Sequence, residues 1–323
     1  MNRIKTDICI IGGGSGGLSI AAGAVQMGAK VVLLEGHKMG GDCLNYGCVP
    51  SKALIASAKQ AHAMSHGAKY GVGEVEAQVD YAAAKDHVHD VIAQIAPVDS
   101  VERFEGLGVH VISEFGTFIS KTEVQAGDTI IEARRFVVAT GSGPFVPPIP
   151  GLDTVKHYTN EDIFDLREKP KHLIVIGGGP IGMEMAQAHR RLGCEVTVIE
   201  GAKAFGKDDP EMAAIVLENL KSEGINIVEE AQAEKISGKG KTITVHTPKG
   251  DFTGSHLLMA VGRKVNTDKL DLDAGGIAHD RAGLKVGDDL RSITNKKVYA
   301  AGDVAGGLQF THVAGYHAGV LIR

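Results

Sequence analysis

Apolar runs and helical patterns alternate along this chain, and two stretches repeat the alternation in the same order. The first, DICIIGGGSGGLSIAAGAVQMGAKVVLLEG, begins at Asp7, and the second, HLIVIGGGPIGMEMAQAHRRLGCEVTVIEG, begins at His172. They align without a gap at a constant offset of 165 residues. In each stretch an apolar run typical of a strand leads through a glycine-rich loop into a helical pattern and a second apolar run. The pattern predicts two β-α-β units.

Both glycine loops have the spacing of a dinucleotide-binding loop. The glycines are Gly12, Gly14 and Gly17 in the first copy and Gly177, Gly179 and Gly182 in the second. In such a loop the first glycine permits the tight turn, the second lets backbone N–H groups reach a pyrophosphate, and the third brings helix and strand together. The second apolar run ends in an acid, Glu35 or Glu200, which would accept hydrogen bonds from an adenosine ribose. Two dinucleotide-binding sites in one chain favour an oxidoreductase in which a nicotinamide passes a hydride to a flavin. The glycines alone do not indicate which site binds which cofactor.

The rest of the pattern fits the same fold class. Helical patterns cover residues 51–66 and 80–105, with a break expected at Pro97, and strand patterns cover 109–119 and 129–139. After the second repeat, residues 242–246 and 256–262 predict further strands, and GYHAGVLIR (315–323) predicts the start of a helix.

Four prolines in GSGPFVPPIPG, which begins at Gly141, indicate a passage between domains. We therefore expect an α/β protein of two Rossmann-like domains, with the second inserted in the first. The expected boundaries are 1–145 and 270–323 for the first domain and 146–269 for the inserted one.

Composition excludes several classes of protein. The chain has 34 basic and 39 acidic residues, a formal net charge of −5 and no run of lysine or arginine, which argues against nucleic-acid and anionic-lipid partners. No apolar run approaches the roughly 20 residues of a membrane span, so we expect a cytoplasmic protein without membrane contact. Four cysteines are too few for a disulfide-stapled secreted domain.

The cysteines divide into one close pair and two single residues. Cys9 and Cys194 lie beside or within apolar runs and are expected to be packed in the core. Cys43 and Cys48 lie in the polar, glycine-flanked segment GGDCLNYGCVPSK. Zinc usually needs a second pair of ligands, which the sequence does not offer, so we expect no metal site.

The spacing of Cys43 and Cys48 allows a disulfide only in a distorted segment. In a regular helix such a pair is turned about 140° apart with its Cα atoms roughly 8.6 Å from each other, whereas disulfides need about 6.8 Å or less. Gly47 beside Asn45 supplies the necessary backbone freedom. A helix that begins near Cys48, with Pro50 in its first turn, would stabilise a thiolate through its dipole. This favours a reducible disulfide over two packed thiols.

GGDCLNYGCVPSK resembles the redox-active segment of the class I pyridine nucleotide-disulfide oxidoreductases, which include dihydrolipoamide dehydrogenase, glutathione reductase and mercuric reductase. The resemblance extends over essentially the whole chain. It includes both glycine loops, FVVATGS (136–142), AVGR (260–263) and VYAAGDV (298–304).

The resemblance implies that the first repeat binds FAD and the second binds the nicotinamide cofactor. It implies that Cys43 exchanges with substrate, that Cys48 lies against the flavin, and that Lys52 lies near the reactive flavin nitrogen, paired with Glu184. Asp303 would hold the ribityl chain and Thr311 would supply a backbone contact. Further residues expected at the FAD are Gly41, Asp42, Gly116, Thr140, Gly141 and Ser142, and those expected along the nicotinamide cofactor are Ala260, Gly262 and Arg263.

The chain departs from the family pattern at two positions. Asp42 replaces a common threonine, which places a negative charge beside a thiol that should ionise, and Tyr46 replaces a small aliphatic residue. At the nicotinamide site, Glu200 suits a free ribose hydroxyl and would repel a 2′-phosphate, and the neighbouring Lys203 does not offset this. We expect NAD to be preferred to NADP.

Relatives end in an interface domain of about a hundred residues, which supplies a histidine and a glutamate to the disulfide of the partner subunit. We expect that domain, its acid–base pair and the usual homodimer surface to be absent from these 323 residues, since His317 has no glutamate after it. The pairs His110 with Glu114 and His157 with Glu161 are interpreted as surface residues.

The expected function is that of an FAD-dependent NADH:disulfide oxidoreductase with a small disulfide or dithiol substrate, most like dihydrolipoamide dehydrogenase. The alternatives are a mercuric reductase-like metal-ion reductase and a flavin- and NADH-binding module without thiol exchange. The chain itself is expected to reduce artificial acceptors and to turn over disulfides poorly.

Overall fold

A computed structural model describes residues 2–323. The chain divides into two compact units, each assembled from separate stretches of sequence. Unit 1 contains the residues up to Asn45, Ile92–Gly143 and Lys264–Arg323, and unit 2 contains Tyr46–Val91 and Pro144–Arg263.

The elements of both units follow in chain order. The helices are α1 (Ser15–Gln26), α2 (Gly41–Asn45), α3 (Cys48–Met64), α4 (Tyr81–Ile95), α5 (Val101–Gly106), α6 (Pro180–Arg191), α7 (Pro210–Ser222) and α8 (Thr311–Ile322). The strands are β1 (Asn2–Ile11), β2 (Val31–Leu34), β3 (His110–Ile112), β4 (Gly116–Ser120), β5 (Glu123–Ala126), β6 (Thr129–Val138), β7 (Ser142–Pro144), β8 (His172–Ile176), β9 (Glu195–Ile199), β10 (Asn226–Val228), β11 (Lys235–Lys239), β12 (Thr242–Thr247), β13 (Gly250–Gly254), β14 (His256–Met259), β15 (Arg263–Val265), β16 (His279–Asp280), β17 (Gly283–Leu284) and β18 (Val298–Ala300). Short 3-10 turns lie at Ala68–Tyr70, Ala96–Asp99, Leu152–Thr154, Ile163–Asp165 and Gly302–Ala305.

Unit 1 is built on a mixed sheet in the order β3-β2-β1-β6-β5-β4, with β18 also pairing with β6. β1 runs parallel to β2 and to β6, and β18 runs parallel to the last residues of β6. The antiparallel strands β4 and β5 extend the sheet beside the first residues of β6. The carboxyl ends of β1, β2, β6 and β18 therefore lie along one edge of the sheet, where open α/β sheets bind their ligands.

Both faces of this sheet are covered, which explains the continuous apolar runs in its strands. On one face Ile10, Leu33 and Val137 pack with residues of α1, α5 and α8. On the other face Cys9 and Ile11 pack with Phe118 and Phe136, whose rings meet edge to face with centroids 5.4 Å apart.

Unit 2 contains a parallel sheet in the order β10-β9-β8-β14 and a separate antiparallel meander, β11-β12-β13. Ile174 and Ile176 of β8 pack with Ile236 and Val245 of the meander, so the core lies between these two sheets. Helices α3 and α6 pack against each other in the same unit. α6 follows β8 directly, as α1 follows β1, and the predicted β-α-β repeat is confirmed in both units.

Most of the predicted elements are also confirmed. α3 and α4 occupy the two helical patterns, and a 3-10 turn containing Pro97 separates α4 from α5. The stretch 109–119 holds two strands, because β3 continues the parallel part of the sheet and β4 starts its antiparallel part. The C-terminal helix begins at Thr311, four residues before the predicted start.

The observed α/β architecture is the predicted class of Rossmann-like fold. The unit boundaries differ from the expected domain boundaries, since residues 46–91 and 144–145 belong to unit 2 and residues 264–269 belong to unit 1. The assignment of 1–145 and 270–323 to FAD, and of 146–269 to NAD, stays a prediction, because compactness does not identify the ligand of a unit.

Candidate functional site

The first glycine loop, in unit 1, connects β1 to α1 through very close backbone packing. Gly12 has φ +112°, and a Cβ atom there would overlap the carbonyl oxygen of Ala139. A Cβ atom at Gly17 would overlap the carbonyl oxygen of Gly12. Gly14 lies at the N-cap of α1, where no side chain caps the helix among the described residues. The first and third glycines are therefore required by the fold, and the second leaves the helix N-terminus open to an anion.

The acid predicted for this loop, Glu35, contacts the loop backbone directly. Its Oε2 accepts the N–H of Gly13 at 2.7 Å, and its Oε1 accepts the N–H of His37 at 2.7 Å. These two bonds fix the carboxylate beside the glycine loop. It retains lone pairs that could accept hydroxyl hydrogens of a ribose.

The second loop, in unit 2, repeats this arrangement closely. Gly177 has φ +118°, and its Cβ atom would overlap the carbonyl oxygen of Ala260, while a Cβ atom at Gly182 would overlap the carbonyl of Gly177. Glu200 accepts the N–H of Gly178 at 2.6 Å and the N–H of Ala202 at 2.8 Å. The sequence repeat is thus also a repeat of individual hydrogen bonds.

The open position of the second loop is Gly179, the N-cap of α6. A Cβ atom at Gly179 would meet no heavy atom of the chain within 4 Å, and the described residues give α6 no side-chain cap. A polar helix N-terminus with free space in front of it fits a pyrophosphate. Both loops therefore fit the dinucleotides that the sequence predicts.

The residues expected at the flavin end of the first site meet where β6 and β18 end. Ser142, 5% exposed, donates from Oγ to Oδ2 of Asp303 at 2.5 Å. Thr140 donates to the carbonyl of Asn266 at 2.7 Å, and the Asn266 side chain donates back to the Thr140 carbonyl at 3.0 Å. Gly141, which lies between Thr140 and Ser142, has φ +64°. The loop after β6 is therefore bonded to Asn266 through Thr140 and to Asp303 through Ser142.

Two further predicted FAD contacts lie in unit 1. Thr311 is the first residue of α8, and Gly116 starts β4, where a Cβ atom would come within 2.7 Å of the Leu34 side chain. His317 of α8 accepts the N–H of Gly302 through Nδ1 at 3.1 Å. Burial lowers the pKa of His317, which suits a ring nitrogen that accepts a hydrogen bond.

The redox segment is broken into two helices. Gly41, Asp42 and Cys43 belong to α2, and Cys48 is the first residue of α3. Gly47 separates the helices with φ −118° and ψ −113°, a non-helical conformation. Cys43 is half-buried and Cys48 is exposed. The pairing of Cys43 with Cys48 in a disulfide stays a prediction.

Lys52 and Glu184, both in unit 2, form the ion pair that the resemblance implies. Lys52 Nζ lies 3.0 Å from both carboxylate oxygens of Glu184. Lys52 lies on α3 and Glu184 on α6, the two helices that pack together. The two side chains are exposed and paired with each other, and the placement of Lys52 near the flavin stays a prediction.

The remaining predicted nicotinamide contacts follow β14. Ala260 donates its N–H to the carbonyl of Ile176 at 2.8 Å, and Gly262 takes φ +139° while accepting the N–H of Phe145 at 2.9 Å. Arg263 begins β15 and is half-buried. Because Ala260 follows β14 and Ile176 ends β8, this turn lies at the carboxyl edge of the unit 2 sheet beside the second glycine loop.

The single cysteines are packed in the core as predicted, and the rejected histidines differ in their exposure. Cys9 and Cys194 are both fully buried, and burial raises the pKa of the Cys9 thiol and raises that of Cys194 to about 11. His110 is exposed, whereas His157 is half-buried. The sequence did not predict the contact of Asn266 with Thr140. A single polar residue shortly after AVGR does not indicate such a contact.

No helix within residues 2–323 is both long and apolar enough to cross a membrane. The same residues contain no group of three or more His, Cys, Asp or Glu side chains arranged to hold a metal ion.

Two β-α-β units with dinucleotide-type glycine loops, one of which leads into a cysteine pair, define an oxidoreductase fold. The family model described as pyridine nucleotide-disulphide oxidoreductase matches residues 6–318, and the chain belongs to this family. The family implies a flavin and a pyridine nucleotide as cofactors.

The curated relatives carry two different names. The chain is 32% identical over 326 positions to a mercuric reductase of Lysinibacillus sphaericus, covering 99% of this chain and 60% of the relative. It is 35% identical over 322 positions to a mercuric reductase of Bacillus cereus, covering 98% and 51%. A dihydrolipoyl dehydrogenase of Bacillus subtilis (strain 168) is 31% identical over 326 positions, covering 97% and 70%. The chain thus spans about half to three fifths of these two mercuric reductases.

Solved structures give the same family. The HOCl-induced flavoprotein disulfide reductase RclA from Escherichia coli superposes with a TM-score of 0.86 at 28% identity, covering 97% of this chain and 69% of that one. Its Cu(II) complex gives a TM-score of 0.87 at 28% identity, covering 98% and 70%.

Proposed function

We propose that this chain binds FAD in unit 1 and NAD in unit 2 and belongs to an enzyme that passes electrons from NADH to a Cys43–Cys48 disulfide. The substrate would be a small disulfide or dithiol, as in dihydrolipoamide dehydrogenase. We further propose that the enzyme is cytoplasmic, because the reducing cytoplasm keeps such thiols available. We also propose that it is a homodimer, as the resemblance to its family implies.

The observation that carries this proposal is the equivalence of the two glycine loops. Glu35 and Glu200 each accept one N–H from the loop and one from the residue two positions further on. A protein that bound a single dinucleotide would use only one of these sites, whereas hydride transfer between two dinucleotides requires both sites. When bound, the nicotinamide supplies a hydride and the flavin relays its two electrons.

Several predicted site residues have contacts that support a role in this proposal. Glu35 would accept the ribose hydroxyls of FAD, and Asp303, fixed by the Ser142 hydroxyl, would accept those of the ribityl chain. Lys52, held by Glu184, offers a cationic N–H donor at the start of α3. The open N-terminus of α6 would receive the pyrophosphate of NAD.

The cysteines would carry the exchange with substrate. Two electrons and two protons break the Cys43–Cys48 bond and give two thiols. The Cys43 thiolate then attacks a substrate disulfide, forms a mixed disulfide and releases the first substrate thiol. Cys48 attacks the Cys43 sulfur, restores the protein disulfide and releases the second thiol.

A metal-ion reductase is the second candidate. It is favoured by the relatives named mercuric reductase and by the Cu(II) complex of the structural neighbour. In this case the Cys43 and Cys48 thiolates would be soft ligands for the metal ion, which would itself accept the electrons.

The disulfide proposal is tested by anaerobic titration of the FAD-loaded chain with NADH. A thiolate lying against oxidised flavin gives a long-wavelength absorption band, which we expect after addition of two electrons. In Cys43→Ser, which has no disulfide to accept the electrons, the band should be present before NADH is added and should disappear when NADH reduces the flavin. In Cys48→Ser the band should be absent throughout the titration. A wild-type chain that binds FAD and NADH without developing this band would be a binding module without thiol chemistry.

The two substrate classes are separated by turnover assays on the full-length protein. NADH oxidation dependent on lipoamide or another small disulfide supports the first candidate. Oxidation dependent on Hg²⁺ or Cu²⁺, without turnover of disulfides, supports the second.

A further inference from the structure

The loop after Glu200 in unit 2 is fastened to the segment that follows β10. Glu229 accepts the N–H of Ala204 through Oε1 at 2.9 Å. Glu230 donates its N–H to the carbonyl of Ala202 at 2.8 Å, and Ala231 donates to the carbonyl of Glu200 at 2.9 Å. The loop that begins at Glu200 is therefore held at three points by residues 229–231.

The equivalent position in unit 1 differs in charge. Glu35 donates its N–H to the carbonyl of Ile112 just as Glu200 donates to Val228, at 3.1 and 2.9 Å. The residue after Ile112 is Ser113, so a neutral side chain in unit 1 stands where Glu229 stands in unit 2.

The residues that cover the next glycine also differ between the two units. In unit 1 the ring of Phe115 lies against Gly36, and Lys269 Nζ lies 3.5 Å from the centroid of that ring. In unit 2 the matching glycine, Gly201, is covered by the amide oxygen of Gln232. The two acid-bearing loops thus share their backbone hydrogen bonds. Each has a lysine nearby, Lys38 in the first and Lys203 in the second, but only the second has an additional carboxylate, that of Glu229, bonded to it.

The charge on Glu229 is not cancelled by its hydrogen bond, because the donor is a neutral backbone amide. The side chain is half-buried, which reduces screening by water. Glu230, the next residue, is exposed and lies 3.4 Å from Lys249 Nζ, so its charge is compensated. A second carboxylate thus acts on the loop directly after the one that would bind the ribose.

We propose that Glu229 is a second specificity-determining residue of the nicotinamide site, which positions the 200–204 loop for the free ribose hydroxyl of NAD and repels the 2′-phosphate of NADP. The proposal rests on the assignment of NAD to unit 2. It adds a determinant about thirty residues after Glu200, which follows a different strand.

Two variants separate the positioning effect from the charge. Glu229→Gln keeps an oxygen that can accept the Ala204 N–H and removes the charge, while Glu229→Ala removes both. Glu218→Gln, an exposed change on α7 with the same loss of charge, is the matched control. The Kd values of NADH and NADPH are measured for each FAD-loaded chain, with circular dichroism and thermal melting to confirm folding.

We expect Glu229→Gln to bind NADPH about five- to tenfold more tightly than the wild type and NADH within about twofold. Glu229→Ala should weaken NADH about threefold or more, because the loop loses its attachment. Glu218→Gln should leave both values unchanged. In the wild type, added salt should reduce the difference between the Kd values of NADH and NADPH, because screening weakens charge repulsion. The reduction should be smaller in Glu229→Gln.

The outcomes distinguish this inference from the proposed function. If Glu200→Ala changes the NADPH to NADH ratio and Glu229→Gln leaves it at the wild-type value, the role of Glu229 is wrong and the NAD assignment stands. If the wild-type chain binds neither nucleotide, or if Glu200→Ala leaves both Kd values unchanged, the assignment fails and the role of Glu229 fails with it.

Discussion

Ser142 and Asp303, 161 positions apart in sequence, are joined by a 2.5 Å hydrogen bond from the serine hydroxyl to the aspartate carboxylate. Ser142 follows β6 and Asp303 follows β18, and these strands are parallel neighbours in the sheet of unit 1. The bond therefore fixes a carboxylate at the ligand-binding edge of the sheet. A hydrogen bond between a hydroxyl and an ionised group contributes about 1.5–3 kcal/mol.

Replacing Ser142 by alanine should weaken FAD binding. The Asp303 carboxylate would lose the donor that orients it, so we expect Kd for FAD to rise about tenfold or more. The measurement is quenching of flavin fluorescence on titration into the apoprotein. Ser19→Ala, an exposed position on α1, is the control and should bind FAD as the wild type does. Equal affinities for all three chains would contradict the role of Ser142.

Alanine substitutions at two glycines of the second loop should have different effects, one on stability and the other on NADH binding. Gly182→Ala places a methyl group on the Gly177 carbonyl oxygen, so it should lower the melting temperature with or without nucleotide. Gly179→Ala has free space for its methyl group and should keep the wild-type melting temperature, but the methyl group would occupy the approach to the helix N-terminus. We expect NADH binding by Gly179→Ala to weaken about tenfold or more. Thermal melting and NADH titration of both variants check this, and unimpaired binding by Gly179→Ala would exclude a pyrophosphate at this position.

Glu200→Ala should invert the preference for nicotinamide nucleotides. Loss of the carboxylate removes the acceptor for the ribose hydroxyl and the repulsion of a 2′-phosphate, so NADH should bind more weakly and NADPH more tightly. Glu195→Ala, at the opposite end of β9, provides a control on the same strand. Kd values for both nucleotides decide the prediction, and an unchanged ratio would refute it.

A buried lysine makes the stability of unit 2 depend on pH. Lys85 is fully buried, donates from Nζ to the carbonyl of Ile163 at 2.9 Å, and lies 5.2 and 5.7 Å from the ring centroids of Tyr81 and Phe164. Burial lowers the pKa of Lys85 to about 7 from its usual 10.5. Between these two values the unfolded chain binds more protons than the folded one, so the free energy of unfolding should rise as pH increases.

We expect the wild type to gain on the order of 2 kcal/mol between pH 6 and pH 9 relative to Lys85→Met, which lacks the titrating group. Methionine keeps the apolar stem, so the variant should fold. Urea unfolding of both chains at several pH values measures the difference. Burial also lowers the pKa of His189, to about 3, so its window overlaps the tested range only below about pH 6.5. Because His189 is present in both chains, the comparison with Lys85→Met isolates Lys85. Parallel pH profiles for the two chains would disprove the effect of Lys85.

The elements that the sequence predicts well depend on neighbouring residues. The two β-α-β repeats, the glycine turns and the 3-10 break at Pro97 follow from local periodicity and from sterics within a few residues. Even Glu35 and Glu200 belong to this class, because each bonds to its own glycine loop about twenty residues before it. Their contacts are built into one supersecondary unit.

Other contacts depend on how distant segments meet. The Lys52–Glu184 pair was expected only through the resemblance to a family, and Ser142 and Asp303 were each expected at the FAD but not bonded to each other. Asn266, Glu229 and the buried Lys85 gave no recognisable signal. Strand order places β18 beside β6 and β10 beside β9, and this order brings Asp303 to Ser142 and Glu229 to the loop after Glu200. Thus the sequence by itself determined the local units and their loops, through short-range backbone geometry. The tertiary structure decided which polar groups are buried or paired, because those depend on contacts between residues far apart in the chain.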